Sequence, residues 1–303
     1  MTVLAEISEA TAVVAERAGP AVVAIGRSSR GTGVVVAPGR VVTNAHNLRD
    51  RTTQVTFADG RAAQAAVTGV DVDGDLAVLE VDTADITPLA WGDPSGLRPG
   101  MPVFGVARRG HNGVRTTFGT VSATEQTFRG PRGRRVTGAF EHTAPLGRGS
   151  SGGPVTDTEG RLLGINTSRL GEGFYLAVPA DEGLRERVEA LARGEVPARA
   201  QLGVGLAPSA VANRLRRSVG LPPLEGLLIQ TVLPGGPGQA AGLEAGDLLV
   251  AAGDRPLGRI DDLMETLDGL TAGSSLILTV VRGVDERTVA VRFDGTAATE
   301  GSA

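Results

Sequence analysis

Apolar positions follow two different periods along this chain. Leu4, Ile7, Ala10, Val14 and Ala18 recur at helical spacing with acids between them, so residues 2–18 read as a short amphipathic helix ended by Pro20. From residue 21 the apolar runs shrink to strand length, at 21–25, 33–36, 41–43, 54–56, 62–70 and 76–81. Turn signals such as Pro38-Gly39 and Asp59-Gly60 separate them, the punctuation of an all-β barrel. A second set, at 102–107, 114–122, 136–143, 153–156, 162–166 and 174–178, predicts a second barrel, with the arginine- and glycine-rich stretch 126–135 as a loop. Leu184, Val188 and Leu191 return to helical spacing, with Gly194 and Pro197 closing the segment; this helix is expected to pack on the second barrel.

Residues 195–200 then read as a linker, and the pattern changes again from Gln201. Ile260, Leu263, Met264 and Leu267 share one helical face, 275–282 and 288–293 read as strands, and 294–303 as a disordered tail. The expected organisation is mainly β: an N-terminal helix (1–20), a two-barrel domain (21–194), a linker and a smaller domain (201–293).

Composition narrows the function classes. At 303 residues and 41% hydrophobic the chain can bury two or three cores, which one Trp, one Tyr and seven Phe make largely aliphatic. A net charge of −4 and so few aromatics argue against nucleic acid as a partner. No apolar run reaches the length of a membrane span. The first twenty residues carry Glu6, Glu9 and Glu16 and lack a basic start followed by an apolar stretch, so a cytoplasmic protein is expected, or one of the cell envelope if a leader has been removed. With no cysteine there are neither disulfides nor thiol nucleophiles.

The candidate chemistry centres on Gly149-Ser150-Ser151-Gly152-Gly153-Pro154. Glycines around Ser151 let a tight turn form and leave its main-chain N–H groups open to a developing negative charge. Taken alone, the run equally describes a flexible loop; a serine becomes a nucleophile only beside a base. The chain has no lysine, so the base must come from His46, His111 and His142. His46 follows the β-branched run Val41-Val42-Thr43, where a strand would end and present it. His111 falls in a turn, and His142 reads as structural or as a rim residue. A carboxylate must then orient the imidazole. Of Asp71, Asp73 and Asp75, only Asp75 stands directly before an apolar strand, and the other two read as ordinary loop acids. The order His46, Asp75, Ser151 is that of chymotrypsin-like double barrels rather than of subtilisins or α/β-hydrolases.

Gly31-Thr32-Gly33-Val34-Val35-Val36, Val42-Thr43-Asn44-Ala45-His46, Asp75-Leu76-Ala77-Val78-Leu79 and the Ser151 run resemble the HtrA (Deg) family. Gly164-Ile165-Asn166-Thr167 and Leu176-Ala177-Val178-Pro179 continue the likeness, and 201–293 resembles a PDZ domain. The resemblance implies a chymotrypsin-like double β-barrel serine endopeptidase followed by one PDZ domain. It implies catalytic His46, Asp75 and Ser151, an oxyanion hole from the N–H groups of Gly149, Ser150 and Ser151, and neither metal nor cofactor. Ala144, Pro145 and Leu146, none charged, are expected to floor a small apolar specificity pocket, narrowed by Tyr175 where the family has a small residue. At the PDZ domain Leu202, Gly203, Val204 and Gly205 would hold a C-terminal carboxylate, with Leu263 and Leu267 lining the groove. Partners would be unfolded proteins and C-terminal peptides, with a homotrimer as the family's assembly, although this N-terminal segment lacks the aromatic residues that hold such trimers. A non-catalytic PDZ scaffold or a chaperone-like holdase is the alternative.

Overall fold

The computed structural model describes residues 2–49, 52–108, 113–130, 135–169, 171, 173–195, 200–268, 270 and 273–293. The 126–135 loop lies partly outside these, and the 294–303 tail wholly so. The chain forms two compact units, Met1–Pro197 and Ala198–Ala303.

In the first unit, helix α1 (Val3–Ala18) starts at Thr2, whose side chain accepts from Ala5 N. Its second half packs: Val14 and Ala18 are buried and Ala10 lies against the same core, whereas Leu4 is 79% exposed. Strands β1 (Val22–Ile25), β2 (Gly31–Ala37), β3 (Arg40–Thr43), β4 (Thr52–Thr56), β5 (Ala62–Asp71) and β6 (Leu76–Glu80) close a barrel in the order β1-β2-β3-β6-β5-β4. Strands β7 (Pro102–Arg108), β8 (Val114–Arg129), β9 (Arg135–His142), β10 (Pro154–Thr156), β11 (Leu162–Arg169) and β12 (Tyr175–Pro179) close a second, in the order β10-β11-β12-β9-β8-β7. The mainly β, double-barrel expectation holds. A continuous core runs from Val22, Val34 and Val78 through to Leu162, Ile165 and Leu176, so the barrels share apolar packing. Between them, Leu89 N donates to Val35 O of one barrel while Leu162 N of the other donates to Ala90 O.

Two expectations are corrected here. Residues 126–129 belong to β8 rather than to a loop, because Phe128 is buried and pairs with Val136 of β9; bulges near Glu125 (φ +54°) absorb the irregular sequence. Helix α2 (Glu182–Ala192), begun by the Asp181 side chain accepting from Leu184 N, packs on β5 and β6 of the first barrel, not on the second. The reason is Gly69 in β5: a Cβ there would stand 2.4 Å from Leu191 O. That missing side chain is the groove in which the helix lies.

The second unit is a sheet in the order β13 (Val204–Ala207), β14 (Leu227–Val232), β15 (Leu248–Ala252), β17 (Ser275–Arg282) and β18 (Asp285–Arg292), with the short β16 (Arg255–Pro256) paired to β15. Helices α3 (Ser209–Ser218), α4 (Pro237–Ala240) and α5 (Ile260–Asp268) accompany it. Asp247, 1% exposed, takes Arg282 as a fork, Nε to Oδ1 at 2.6 Å and Nη2 to Oδ2 at 2.8 Å, and this fixes the turn before β15 to β17.

Gly69→Ala forces a methyl against main chain that cannot move aside, and is expected to destabilise the first unit by about 1–3 kcal/mol. Urea unfolding followed by Trp91, the single tryptophan, reads that unit alone.

Candidate active site

His46 stands on a single helical turn, Ala45–Asn47, directly after β3. Asp75 closes the β5–β6 turn with φ +54°, a left-handed conformation that Asp tolerates better than most residues. Its side chain is 3% exposed, against 38% for His46. Both carboxylate oxygens reach His46 Nδ1, at 2.9 and 2.8 Å, and Oδ1 also accepts the His46 main-chain N–H at 3.1 Å. Thr167 Oγ1 donates to Oδ2 at 2.7 Å, and Asn44 Nδ2 to the Asp75 carbonyl at 2.9 Å. A carboxylate so engaged fixes the imidazole through Nδ1 and turns Nε2 outward.

Ser151 occupies a turn between Gly149 and Gly152, both at φ +85°. At Gly152 a Cβ would meet Thr32 O at 2.2 Å, so no other residue fits. Gly152 N donates to Asn166 O at 2.7 Å and Asn166 N to Gly153 O at 2.9 Å, pinning the loop to β11. Thr32 holds it from the first barrel, Oγ1 to Gly149 O at 2.7 Å and N to Ser151 O at 2.9 Å. Ser151 Oγ donates to the Thr167 carbonyl at 3.0 Å rather than to His46. Among the hydrogen bonds of the described residues, the N–H groups of Gly149, Ser150 and Ser151 have no protein acceptor.

The other candidates fall elsewhere. His111 lies outside the described residues. His142 is fully buried, its Nε2 2.7 Å from Asn166 Oδ1 and its ring stacked on Tyr175 at 5.7 Å; it supports the wall behind the loop. Asp71 and Asp73 are not loop acids in solvent: both are buried, and Asp71 Oδ1 closes the turn by accepting from Gly74 N. Ala144, Leu146 and Tyr175 are buried, and Tyr175 Oη donates to Leu146 O at 2.9 Å. Pro145 is exposed and does not join them, since burial alternates along 144–146. Thr167, Thr32 and Asn47 were missed; their only signal is adjacency to motif residues.

In the second unit, Gly203 has φ +70° and leads into β13, which pairs with β14 alone among the described strands. Leu202, Leu263 and Leu267 are 3%, 1% and 4% exposed, so they belong to the core and not to an open groove. Val204, Leu206 and Met264, one step round from them, are the partly exposed apolar positions, and Gly205 is also partly exposed.

Known proteins place both units. Residues 31–165 match the model of the trypsin-like peptidase domain and 228–282 that of the PDZ domain. A probable periplasmic serine endoprotease, DegP-like, of Bartonella henselae is 30% identical over 272 residues, covering 86% of this chain and 52% of that protein. Serine protease HTRA2, mitochondrial, of Bos taurus is 31% identical over 280 residues, covering 87% of this chain and 60% of that one. The solved structure of the HtrA-type protease AlgW with a decapeptide superposes with a TM-score of 0.67 at 23% identity, covering 94% of this chain and 98% of that one; it shares the fold. The chain spans about half the length of the periplasmic DegP-like relatives it matches. Those relatives are named periplasmic, which overturns the cytoplasmic expectation: a missing basic-apolar start is no guide to compartment here.

Burial holds the His142 imidazole below its ordinary value of 6.5, against the smaller upward pulls of Asn166 and Glu141. The folded state therefore binds fewer protons here than the unfolded chain. Its contribution to stability is present in full above about pH 6.5 and is lost as pH falls from there toward the lowered folded value. Unfolding by Trp91 fluorescence at pH 5 and pH 7.5 is expected to show this loss, and His142→Gln to reduce it.

Proposed function

The chain belongs to the HtrA (Deg) family, and from that membership we propose that it is a serine endopeptidase of bacterial protein quality control, cutting unfolded or damaged proteins through an acyl-enzyme. Ser151 attacks the scissile carbonyl, His46 Nε2 takes its proton and returns it to the leaving amine, and Asp75 orients the imidazole. The observation that carries this reading is the buried Asp75 carboxylate clasping His46 Nδ1 at 2.8 Å across from a glycine-flanked serine. Ser151 Oγ must leave the Thr167 carbonyl and turn toward Nε2, a side-chain rotation of the kind that completes hydrogen bonding when substrate binds. The free N–H groups of Gly149 and Ser151, with Ser150 between them, would receive the oxyanion; one such donor is typically worth about 3 kcal/mol.

Ala144, Leu146 and Tyr175 carry no charge and would line the specificity pocket, so the residue before the cut would be Val, Ala or a similarly small aliphatic. The protease domain would span 21–194, the linker 195–200 and the PDZ domain 201–293, with a homotrimer as the assembly the family implies. A C-terminal peptide would extend the sheet at β13, its carboxylate at the Gly203 turn and its apolar side chain against Val204, Leu206 and Met264.

Ser151→Ala and His46→Ala are expected to abolish casein cleavage while the fold persists, and Asp75→Asn to lower kcat by about 10⁴-fold through the wrong tautomer. Fragments mapped by mass spectrometry should end in Val or Ala. Casein turnover by Ser151→Ala at the wild-type rate would overturn the assignment, and cuts mainly after Arg or Phe would overturn the pocket.

For the second unit, the 303-residue Ser151→Ala chain is titrated with a peptide ending in Val and with its C-terminal amide. The free acid is expected to bind more tightly; equal affinity would exclude carboxylate capture.

A further inference from the structure

Ser151 carries its nucleophile on the second barrel, whereas His46 belongs to the first, so their alignment depends on what joins the two across the seam. The Ser151 carbonyl accepts two hydrogen bonds, and both donors come from the first barrel: Thr32 N at 2.9 Å and Asn47 Nδ2 at 2.9 Å. Asn47 is the residue after His46, on the same helical turn. It is 2% exposed, and Nδ2 also donates to Thr43 Oγ1 at 3.0 Å, whose hydroxyl in turn donates to Thr32 O at 2.7 Å. Space for this amide is made by Gly31, where a Cβ would fall 2.2 Å from the Asn47 side chain. A buried amide in a cradle opened by a glycine, bonded at once to the end of β3 and to the nucleophile's carbonyl, is a brace between base and nucleophile.

We infer that Asn47 is a positioning residue for peptide hydrolysis: it fixes the Ser151 main chain against the His46 turn. With that main chain held, the Ser151 side chain turns from the Thr167 carbonyl toward Nε2 against a fixed backbone. Touching neither substrate nor the reacting atoms, it acts through Ser151. Removing its donor leaves the bond from Thr32 N in place, so the Ser151 carbonyl keeps one tether and loses the one that runs to the histidine turn. Misplacement of reacting groups by about 1 Å costs on the order of 10²-fold in rate.

This inference rests on the endopeptidase reading, and its test separates the two. Asn47→Leu, close to Asn in shape but without the donor, is compared with the 303-residue wild-type chain on a peptide substrate cut by the wild type. The expected result is a kcat lowered about 10–100-fold with KM within about twofold, and an equal fall in the rate of inactivation by a fluorophosphonate. Unchanged kcat and inactivation rate in a variant of lowered melting temperature would make Asn47 merely structural and overturn the inference. A raised KM at constant kcat would overturn it too. If Asn47→Leu does not fold, Asn47→Ala is read in the same way, below its own melting temperature. Wild-type protein that cuts no peptide, or Ser151→Ala that cuts as well, would instead sink the endopeptidase reading.

Discussion

One buried carboxylate organises the candidate site. Asp75 has almost no solvent to hydrate it, so its stability there depends on donors brought by the fold: the His46 main-chain N–H, His46 Nδ1 and Thr167 Oγ1. Those donors come from both barrels. Satisfying the charge therefore fixes the distance between the His46 turn and β11. Thr167 extends the constraint, because the same residue that donates its hydroxyl to Asp75 offers its carbonyl to Ser151 Oγ at 3.0 Å. The candidate base, orienting acid and nucleophile are thus linked through a single threonine.

The seam is held by polar groups as well as by the shared apolar core. Thr32 donates to Gly149 O and Ser151 O, and Asn47 to Ser151 O, all from residues buried in the first barrel. Apolar packing is non-directional and would allow small slides between barrels. Hydrogen bonds with fixed donors and acceptors do not, since a slide leaves buried groups unpaired at about 1–3 kcal/mol each. Close approach is possible because Gly31 and Gly152 lack side chains where Asn47 and Thr32 come in.

Much of this was legible in the sequence, for a physical reason. Each catalytic candidate lies beside a run whose type is set locally: Val41-Val42-Thr43 before His46, Leu76–Leu79 after Asp75, the glycines about Ser151. What depended on which surfaces meet was not legible. Thr167 is one hydroxyl on a strand until register places it over Asp75. The side on which α2 packs was set by Gly69, which reads in sequence only as a weak point in a strand. Helix α3 was missed because Ser209–Ser218 is mostly polar; it is held by Ala212 and by buried Arg216, whose guanidinium donates to the carbonyls of Pro222 and Gly283. Leu263 and Leu267 followed the apolar stripe correctly but faced the core, since period alone does not say which part of a stripe stays open.

Both units leave main-chain donors and acceptors unspent in places where the rest of the fold spends them. Among the hydrogen bonds of the described residues, the N–H groups of the Gly149–Ser151 turn donate to no protein acceptor. The outer edge of β13 is likewise unpaired among the described strands. An open edge invites unwanted pairing, so a protein keeps one short or uses it; β13 is only four residues long and opens at a glycine turn. The same chemistry, a peptide's carbonyl or its main chain, would complete both in the proposed function. In the proposed function, substrate would be the missing hydrogen-bond partner at the Gly149–Ser151 turn for the length of a chemical step, and a docked chain end would be that of β13.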